Sequence, residues 1–206
     1  MTRSARTFVL LSMVVGPIAS VIAGTDTLTD IARRNAPRPV LIERMRELIP
    51  ARLDEVSARA DLIVYGVVEL VRTYLSEDGR ELLTDYRVTP RRVLRQRSVE
   101  ATERPGMPAP IVVTRWGGRM EIEGTEVVLR DYEAPPFEES SEYLLYLTES
   151  PMSDGTYVLA SEVTGVLSVV DGQVRLPAQD QAYGEGFDRM RGASVDTLET
   201  EVAAPR

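Results

Sequence analysis

Short apolar runs separated by turn residues fill the middle of the chain. The clearest run, residues 62–71, is rich in β-branched side chains and apolar on both faces, which predicts a buried strand. A turn at residues 76–79 leads into a second strand, whose apolar residues alternate from Leu82 onward. The alternation changes parity between Pro90 and Val93, which predicts a β-bulge and therefore a long, bent second strand.

Glycines and later apolar runs extend this pattern. Gly66, in the middle of the first run, indicates a bend of the kind found at a barrel corner. Gly117 and Gly118 indicate a tight hairpin between two further strands. The later apolar runs lie at residues 111–116, 119–122, 127–129, 143–147, 157–159 and 167–176. Several short strands at this spacing predict an all-β barrel or sandwich.

The first 23 residues are typical of a signal peptide. Arg3 and Arg6 precede an apolar stretch at residues 8–22, and small or aliphatic residues precede a cleavage site before Gly24. We therefore expect an exported protein, periplasmic or extracellular, that contacts a membrane only if the signal remains uncleaved. The chain has no cysteine, which excludes a lipoprotein anchor.

Less regular segments flank the predicted barrel. Residues 24–51 are interpreted as a linker followed by an amphipathic helix. The apolar stripe of that helix is formed by Leu41, Met45 and Leu48. A short helix near Leu53 is expected to lead into the barrel. Residues 177–206 form a polar, acidic tail, in which Tyr183 and Phe187 are spaced to anchor a helical turn.

The strand pattern resembles the TIMP-like and netrin-like (NTR-like) superfamily, and in particular its exported bacterial members. The resemblance lies in residues 60–68, in residues 84–88 with 92–95, and in Pro136-Phe137 with residues 142–147. It covers residues 52–176 and implies an OB-fold, a five-stranded Greek-key β-barrel preceded by a short helix. The animal TIMP-like inhibitors bind the zinc of their target proteases through an N-terminal cysteine, which this chain lacks, so no inhibitory residue carries over. A protease-inhibitor-like role remains an alternative by analogy of fold.

The missing residue types exclude most common catalytic mechanisms. The chain contains no His, Cys or Lys, which excludes serine–histidine relays, thiolate nucleophiles, serine–lysine dyads and zinc–sulfur sites. We predict no catalytic residue, no cofactor and no metal site. Carboxylates alone can hydrolyse glycosides, so Glu121 and Glu123 near Trp116 leave a carboxylate-based hydrolase as an alternative. A calcium site at Glu138, Glu139 and Glu142 competes with a simple solvated acidic loop.

The net charge narrows the classes of partner that the chain is expected to bind. Residues 1–23 contain two Arg and no acidic residue, so their removal changes the formal net charge from −8 to −10. Such an acidic chain is a poor binder of nucleic acid. A local cluster of arginines on the second strand, near Trp116, nevertheless forms a candidate partner-binding surface: Arg91, Arg92, Arg95, Arg97, Trp116 and Arg119.

The cluster leaves two interpretations open. It binds an acidic partner, either a protein or a polyanionic glycan, or it pairs internally with residues 131–149, which are acidic and contain no basic residue. The sequence as a whole predicts a non-enzymatic, exported interaction module.

Overall fold

The computed structural model describes residues 18–19, 26–44, 51–97, 109–131, 135–151, 155–176 and 185–198. Of these residues, 51% lie in strands and 16% in helices, and the strands form two sheets. The prediction of a mostly β protein is therefore confirmed. No helix in the described ranges combines the length and apolar character needed to cross a bilayer. The predicted signal peptide lies outside the described residues except for the backbone of residues 18–19.

The first sheet has four strands in the order β1-β2-β7-β6. Their bounds are β1 Ile18–Ala19, β2 Val40–Arg44, β6 Gly118–Ile122 and β7 Thr125–Asp131. β2 pairs in parallel with both β1 and β7, whereas β6 and β7 form an antiparallel pair. Glu123 and Gly124 connect β6 to β7 with positive φ values of 50° and 77°.

Helix α1, Leu28–Asn35, supplies much of the apolar surface that covers this sheet. Thr27 caps its first turn: the Thr27 hydroxyl accepts from the backbone N–H of Asp30, whose carboxylate in turn accepts from Thr27. Leu28 and Ile31 of α1 belong to one buried cluster with Val40 and Ile42 of β2. This clustering explains the alternate burial along β2, because every second side chain of a strand points to the same face.

The structure corrects the helix predicted from Leu41, Met45 and Leu48. Leu41 lies in strand β2, and Met45 and Leu48 lie outside the described residues. The helix lies earlier, at α1, in the part interpreted as linker. The prediction was wrong because Leu41, Met45 and Leu48 happen to recur at a helical spacing. In the structure Val40 and Ile42, two residues apart, are buried with α1, which is the burial pattern of a strand.

The second sheet has seven strands in the order β11-β10-β8-β3-β4-β5-β9, and β8 also pairs with β9. The bounds are β3 Leu62–Leu75, β4 Leu82–Gln96, β5 Ile111–Trp116, β8 Glu142–Glu149, β9 Thr156–Leu159, β10 Val166–Val170 and β11 Gln173–Arg175. The long second strand of the prediction is confirmed, since β4 continues for 15 residues through Pro90. The β-bulge near Pro90 stays a prediction.

The hairpin predicted at Gly117 and Gly118 is wrong. β5 ends at Trp116 and has β4 and β9 as its sheet neighbours, whereas β6 belongs to the other sheet and pairs with β7. The two glycines have φ values of 91° and 142°, which glycine adopts far more readily than other residues. They allow the chain to leave one sheet and enter the other instead of returning beside the same strand.

Helical segments flank the second sheet in sequence. Helix α2, Leu53–Arg59, precedes β3, as the sequence predicts. After β11, Phe187–Met190 form a 3₁₀ helix and residues 195–198 form a further helical turn. Phe187, Val195 and Leu198 are buried in the same cluster as Val56 of α2. The anchoring role predicted for Phe187 is confirmed, and Tyr183 lies outside the described residues.

The chain divides into two compact units, each with its own apolar interior. Residues 1–48, 72–84 and 115–136 form unit 1, and residues 49–71, 85–114 and 137–206 form unit 2. The buried cluster of unit 1 is built on α1, β2 and β7. Unit 2 contains two clusters, centred on opposite-facing side chains of β3 and β8 such as Ile63 and Val64.

Candidate functional site

The arginines predicted to form a partner-binding surface lie mainly on β4. Arg91 and Arg97 are exposed, and Arg92 and Arg95 are half-buried. All four belong to unit 2 and are called the arginine surface below. Trp116 and Arg119 belong to unit 1, where Trp116 is half-buried and Arg119 is exposed. The predicted set of six therefore contains residues of both units.

Arg91 is bound within unit 2 by Glu142, the first residue of β8. The Arg91 Nη1 atom lies 2.6 Å from Glu142 Oε1, and the other carboxylate oxygen accepts a short hydrogen bond from the Tyr65 hydroxyl. Tyr65 lies on β3, which borders both β4 and β8 in the sheet. The three side chains thus link three neighbouring strands, and the carboxylate has a partner on each oxygen.

The position of Glu142 follows from strand register. Glu142 lies opposite Val67 and Tyr65 lies opposite Leu144, so Tyr65 and Glu142 are diagonal neighbours on one face of the sheet. Burial raises the pKa of the Tyr65 hydroxyl, and the hydrogen bond to Glu142 and its negative charge raise it further. Tyr65 therefore remains protonated at neutral pH and acts as a hydrogen-bond donor to the carboxylate.

Arg92 and Arg95 connect β4 to helical segments. Arg92 Nη1 lies 2.8 Å from Asp196 Oδ1, in the helical turn at residues 195–198. Arg95 donates to the backbone carbonyls of Ser57 and Ala60 at the end of α2, the latter at 3.0 Å. A cation at this position satisfies carbonyls that have no partner within the helix. Burial, together with repulsion from Arg97, lowers the pKa of the Arg95 guanidinium.

Arg97 lies beside Asp61, at the start of β3. The Arg97 backbone N–H donates to the Asp61 carbonyl at 2.7 Å. The Asp61 carboxylate accepts from the Thr148 hydroxyl at 2.7 Å and from the Glu149 backbone N–H at 3.2 Å. These bonds, the Thr148 hydroxyl first, lower the pKa of Asp61, and the charges of Arg97 and Arg95 act in the same direction.

Every member of the arginine surface thus contacts groups of its own unit. Arg91 and Arg92 form ion pairs, Arg95 binds carbonyl oxygens, and Arg97 lies in the electrostatic field of Asp61. The internal pairing that the sequence left open is present at Arg91, because Glu142 belongs to the acidic segment 131–149.

The two glutamates of the hydrolase alternative, Glu121 and Glu123, are not placed as the sequence pattern predicts. Glu121 lies opposite Glu126 across β6 and β7, and Glu126 is bridged to Arg119 at 3.3 Å. Glu123 lies in the turn after β6, and both of its carboxylate oxygens accept from Arg33, at 3.0 and 2.8 Å. The two glutamates of the hydrolase alternative are therefore not equivalent positions on one strand.

The acidic loop also differs from a cation site. Glu138 and Glu139 are exposed, and Glu142 is engaged by Arg91 and Tyr65. Within the ranges the structure describes, no group of three or more His, Cys, Asp or Glu side chains is placed to hold a metal ion.

Sequence reasoning missed a buried polar pair between β4 and β5. The Thr114 hydroxyl donates to Asp85 Oδ1 at 2.8 Å, and both residues are buried in unit 2. The sequence feature that could have revealed this pair is an aspartate inside an apolar strand, between Thr84 and Tyr86. The pair is a structural hydrogen bond of the interior, since a buried carboxylate requires hydrogen-bond partners.

Comparison with known proteins gave no assignment. No protein-family model matches the chain, and no curated protein matches it.

Proposed function

We propose that the protein is an exported, non-enzymatic interaction module built on an OB-fold-like barrel. Export rests on residues 1–23, whose basic start and apolar stretch are typical of a signal peptide. The mature protein then works in the periplasm or outside the cell. The resemblance to the netrin-like and TIMP-like superfamily is part of the same proposal.

The pairing order of the second sheet supports the barrel. β3 neighbours β4, β4 neighbours β5, β5 neighbours β9, and β8 pairs with both β9 and β3. The pairings of these strands therefore return to their starting point, as closure of a barrel requires. The β5–β9 pair is parallel, and β3–β8 and β8–β9 are antiparallel. Helix α2 before β3 agrees with the helix that the superfamily resemblance implies.

The state of the carboxylates favours binding over catalysis. Glu142, Glu123 and Asp61 each accept hydrogen bonds from neighbouring side chains. Among them, the Thr148 hydroxyl above all lowers the pKa of Asp61, whereas a carboxylate general acid needs a raised pKa. The protease-inhibitor-like alternative rests on the resemblance alone.

The arginine surface is the proposed binding surface, and its partner is an acidic protein or a polyanionic glycan. The observation that carries this proposal is the exposure of the paired arginines: the side chains of Arg91 and Arg92 are 54% and 38% exposed. Ion pairs at such exposure contribute only ~0–1 kcal/mol. An incoming carboxylate or sulfate can therefore replace Glu142 or Asp196 at little cost in free energy.

Retention on immobilised dextran sulfate tests this surface. Arg91→Ala/Arg92→Ala removes two cations from it while leaving Arg95 to bind the end of α2. Arg33→Ala/Arg34→Ala is the matched control, because it removes two exposed cations of unit 1 and changes the net charge equally. We expect the first double variant to elute at lower salt than the wild type and the control to elute with the wild type. Equal elution of both variants would contradict a specific arginine surface.

A further inference from the structure

The carboxylate of Glu142 is held by donors from two other strands. Arg91 Nη1 on β4 lies 2.6 Å from one carboxylate oxygen, and the Tyr65 hydroxyl on β3 donates to the other. All three residues belong to unit 2. Glu142 therefore marks a place on this sheet where a carboxylate is bound.

The two donors lie close to each other as well as to Glu142. Burial above all raises the pKa of the Tyr65 hydroxyl, whereas the charge of Arg91 and a hydrogen bond with it lower that pKa. A guanidinium carries five N–H donors, and a phenol hydroxyl donates one hydrogen bond. The pair can therefore donate in the same way to any carboxylate that takes the place of Glu142.

The strand residues beside Glu142 are aliphatic. Val67 of β3 and Val169 of β10 lie directly opposite it in two antiparallel pairs, and residues in such positions share one face of the sheet. Val169 is buried and Val67 is half-buried. An acidic side chain brings methylene groups that can pack against these valines, whereas a sulfated sugar brings hydroxyl groups. These neighbours therefore favour a carboxylate of a protein over a sulfate of a glycan.

Glu142 can leave this place without disturbing the sheet. It is the first residue of β8, and its side chain is 23% exposed. Rotation of the side chain into solvent leaves the backbone pairing of β8 with β3 unchanged. Arg91 is more exposed than Glu142, and ion pairs at such exposure contribute little to stability.

We propose that Tyr65 and Arg91 form a binding site for an acidic side chain of a partner protein, and that Glu142 occupies this site in the free protein as an internal competitor. The inference rests on the proposed function, because Arg91 belongs to the arginine surface. It adds Tyr65 to that surface and selects the acidic protein from the two classes of partner. A partner binds only when Glu142 has left the site, so Glu142 lowers the apparent affinity.

Titration of full-length variants against fluorescently labelled poly-L-glutamate tests the competitor. Glu142→Gln removes the competing charge, keeps the side-chain volume and retains an oxygen that can accept from Tyr65. Glu139→Gln is the matched control, because Glu139 is exposed shortly before β8 and the substitution changes the net charge equally. We expect Glu142→Gln to bind roughly two- to fivefold more tightly than the control. Equal affinities would overturn the role of Glu142, since net charge alone would then explain the change.

A second comparison tests the hydroxyl donor. Tyr65→Phe is combined with Glu142→Gln, and Tyr157→Phe in the same background removes the hydroxyl of another half-buried tyrosine of unit 2. We expect Tyr65→Phe to abolish the gain in affinity and Tyr157→Phe to leave it unchanged. Equal affinities of these two double variants would overturn the site formed by Tyr65 and Arg91.

Dextran sulfate separates this inference from the proposed function. Binding of Glu142→Gln to dextran sulfate but not to poly-L-glutamate would assign the surface to sulfated glycans and overturn the choice of a protein partner. The arginine surface itself is decided by the Arg91→Ala/Arg92→Ala variant on dextran sulfate, in which Glu142 and Tyr65 are both retained. The proposed function can therefore stand when the inference about Tyr65 and Glu142 fails.

Discussion

The arginine surface and the exposed aliphatic residues of β3, Leu70 and Val71, are opposites in composition and in how many of their contacts the chain already supplies. The first consists of charged residues that already contact Glu142, Asp196, Asp61 and the end of α2. The second consists of two consecutive strand residues that are 50% and 46% exposed. A cluster of like charges in a sequence suggests a binding surface, yet these arginines already contact other residues of unit 2. A pair of aliphatic residues within a strand passes for core, although it is exposed.

This difference separates two ways in which a surface can bind. Partners of the arginine surface must replace existing ion pairs, so their net gain is small and salt-dependent. An apolar group that covers Leu70 and Val71 replaces only water and gains apolar burial. The two surfaces should therefore respond differently to substitutions and to salt.

The largest expected effect comes from the strand pair on which both surfaces depend. A Cβ atom at Gly66 of β3 would lie 2.6 Å from the Thr89 carbonyl oxygen of β4. Gly66→Ala therefore forces the strands apart, and we expect the free energy of unfolding to fall by ~1–3 kcal/mol, as for overpacked interiors. Urea denaturation measures the change, with exposed Gln96→Ala on β4 as control. An unchanged midpoint would mean that the close approach of β3 and β4 is not required.

Next in size is the loss of the carboxylate that holds Arg91. Glu142→Ala removes partners from both Arg91 and Tyr65, so we expect a loss of stability of ~1–2 kcal/mol. Arg91→Ala leaves the Tyr65 hydrogen bond intact and removes a largely exposed cation, so we expect ~0.5 kcal/mol. Urea denaturation of both variants compares them. Equal losses would show that the ion pair, and not the hydrogen bond from Tyr65, stabilises this part of the sheet.

The sequence predicts strands more readily than it predicts partners. The β-branched run at residues 62–71 and the alternation after Leu82 identify β3 and β4, because burial on a sheet selects those side chains. The location of α1 was missed, although Thr27 and Asp30 form its capping box. The pairing of Arg91 with Glu142 depends on strands distant in sequence, and hydrophobic periodicity carries no information about that register.

The smallest expected effect is the pH dependence contributed by Asp61 beside the arginine surface. The Thr148 hydroxyl, above all, lowers the pKa of Asp61 in the folded protein. The ionised form therefore stabilises the fold above the unfolded pKa of roughly 3.9. That contribution disappears as the pH falls through the lower, folded pKa. Asp61→Asn should reduce stability slightly at neutral pH and show a shallower loss in acid than the wild type. Urea midpoints measured from neutral pH to acid compare the two chains. Parallel curves would mean that the lowered pKa of Asp61 does not contribute to the pH dependence of stability.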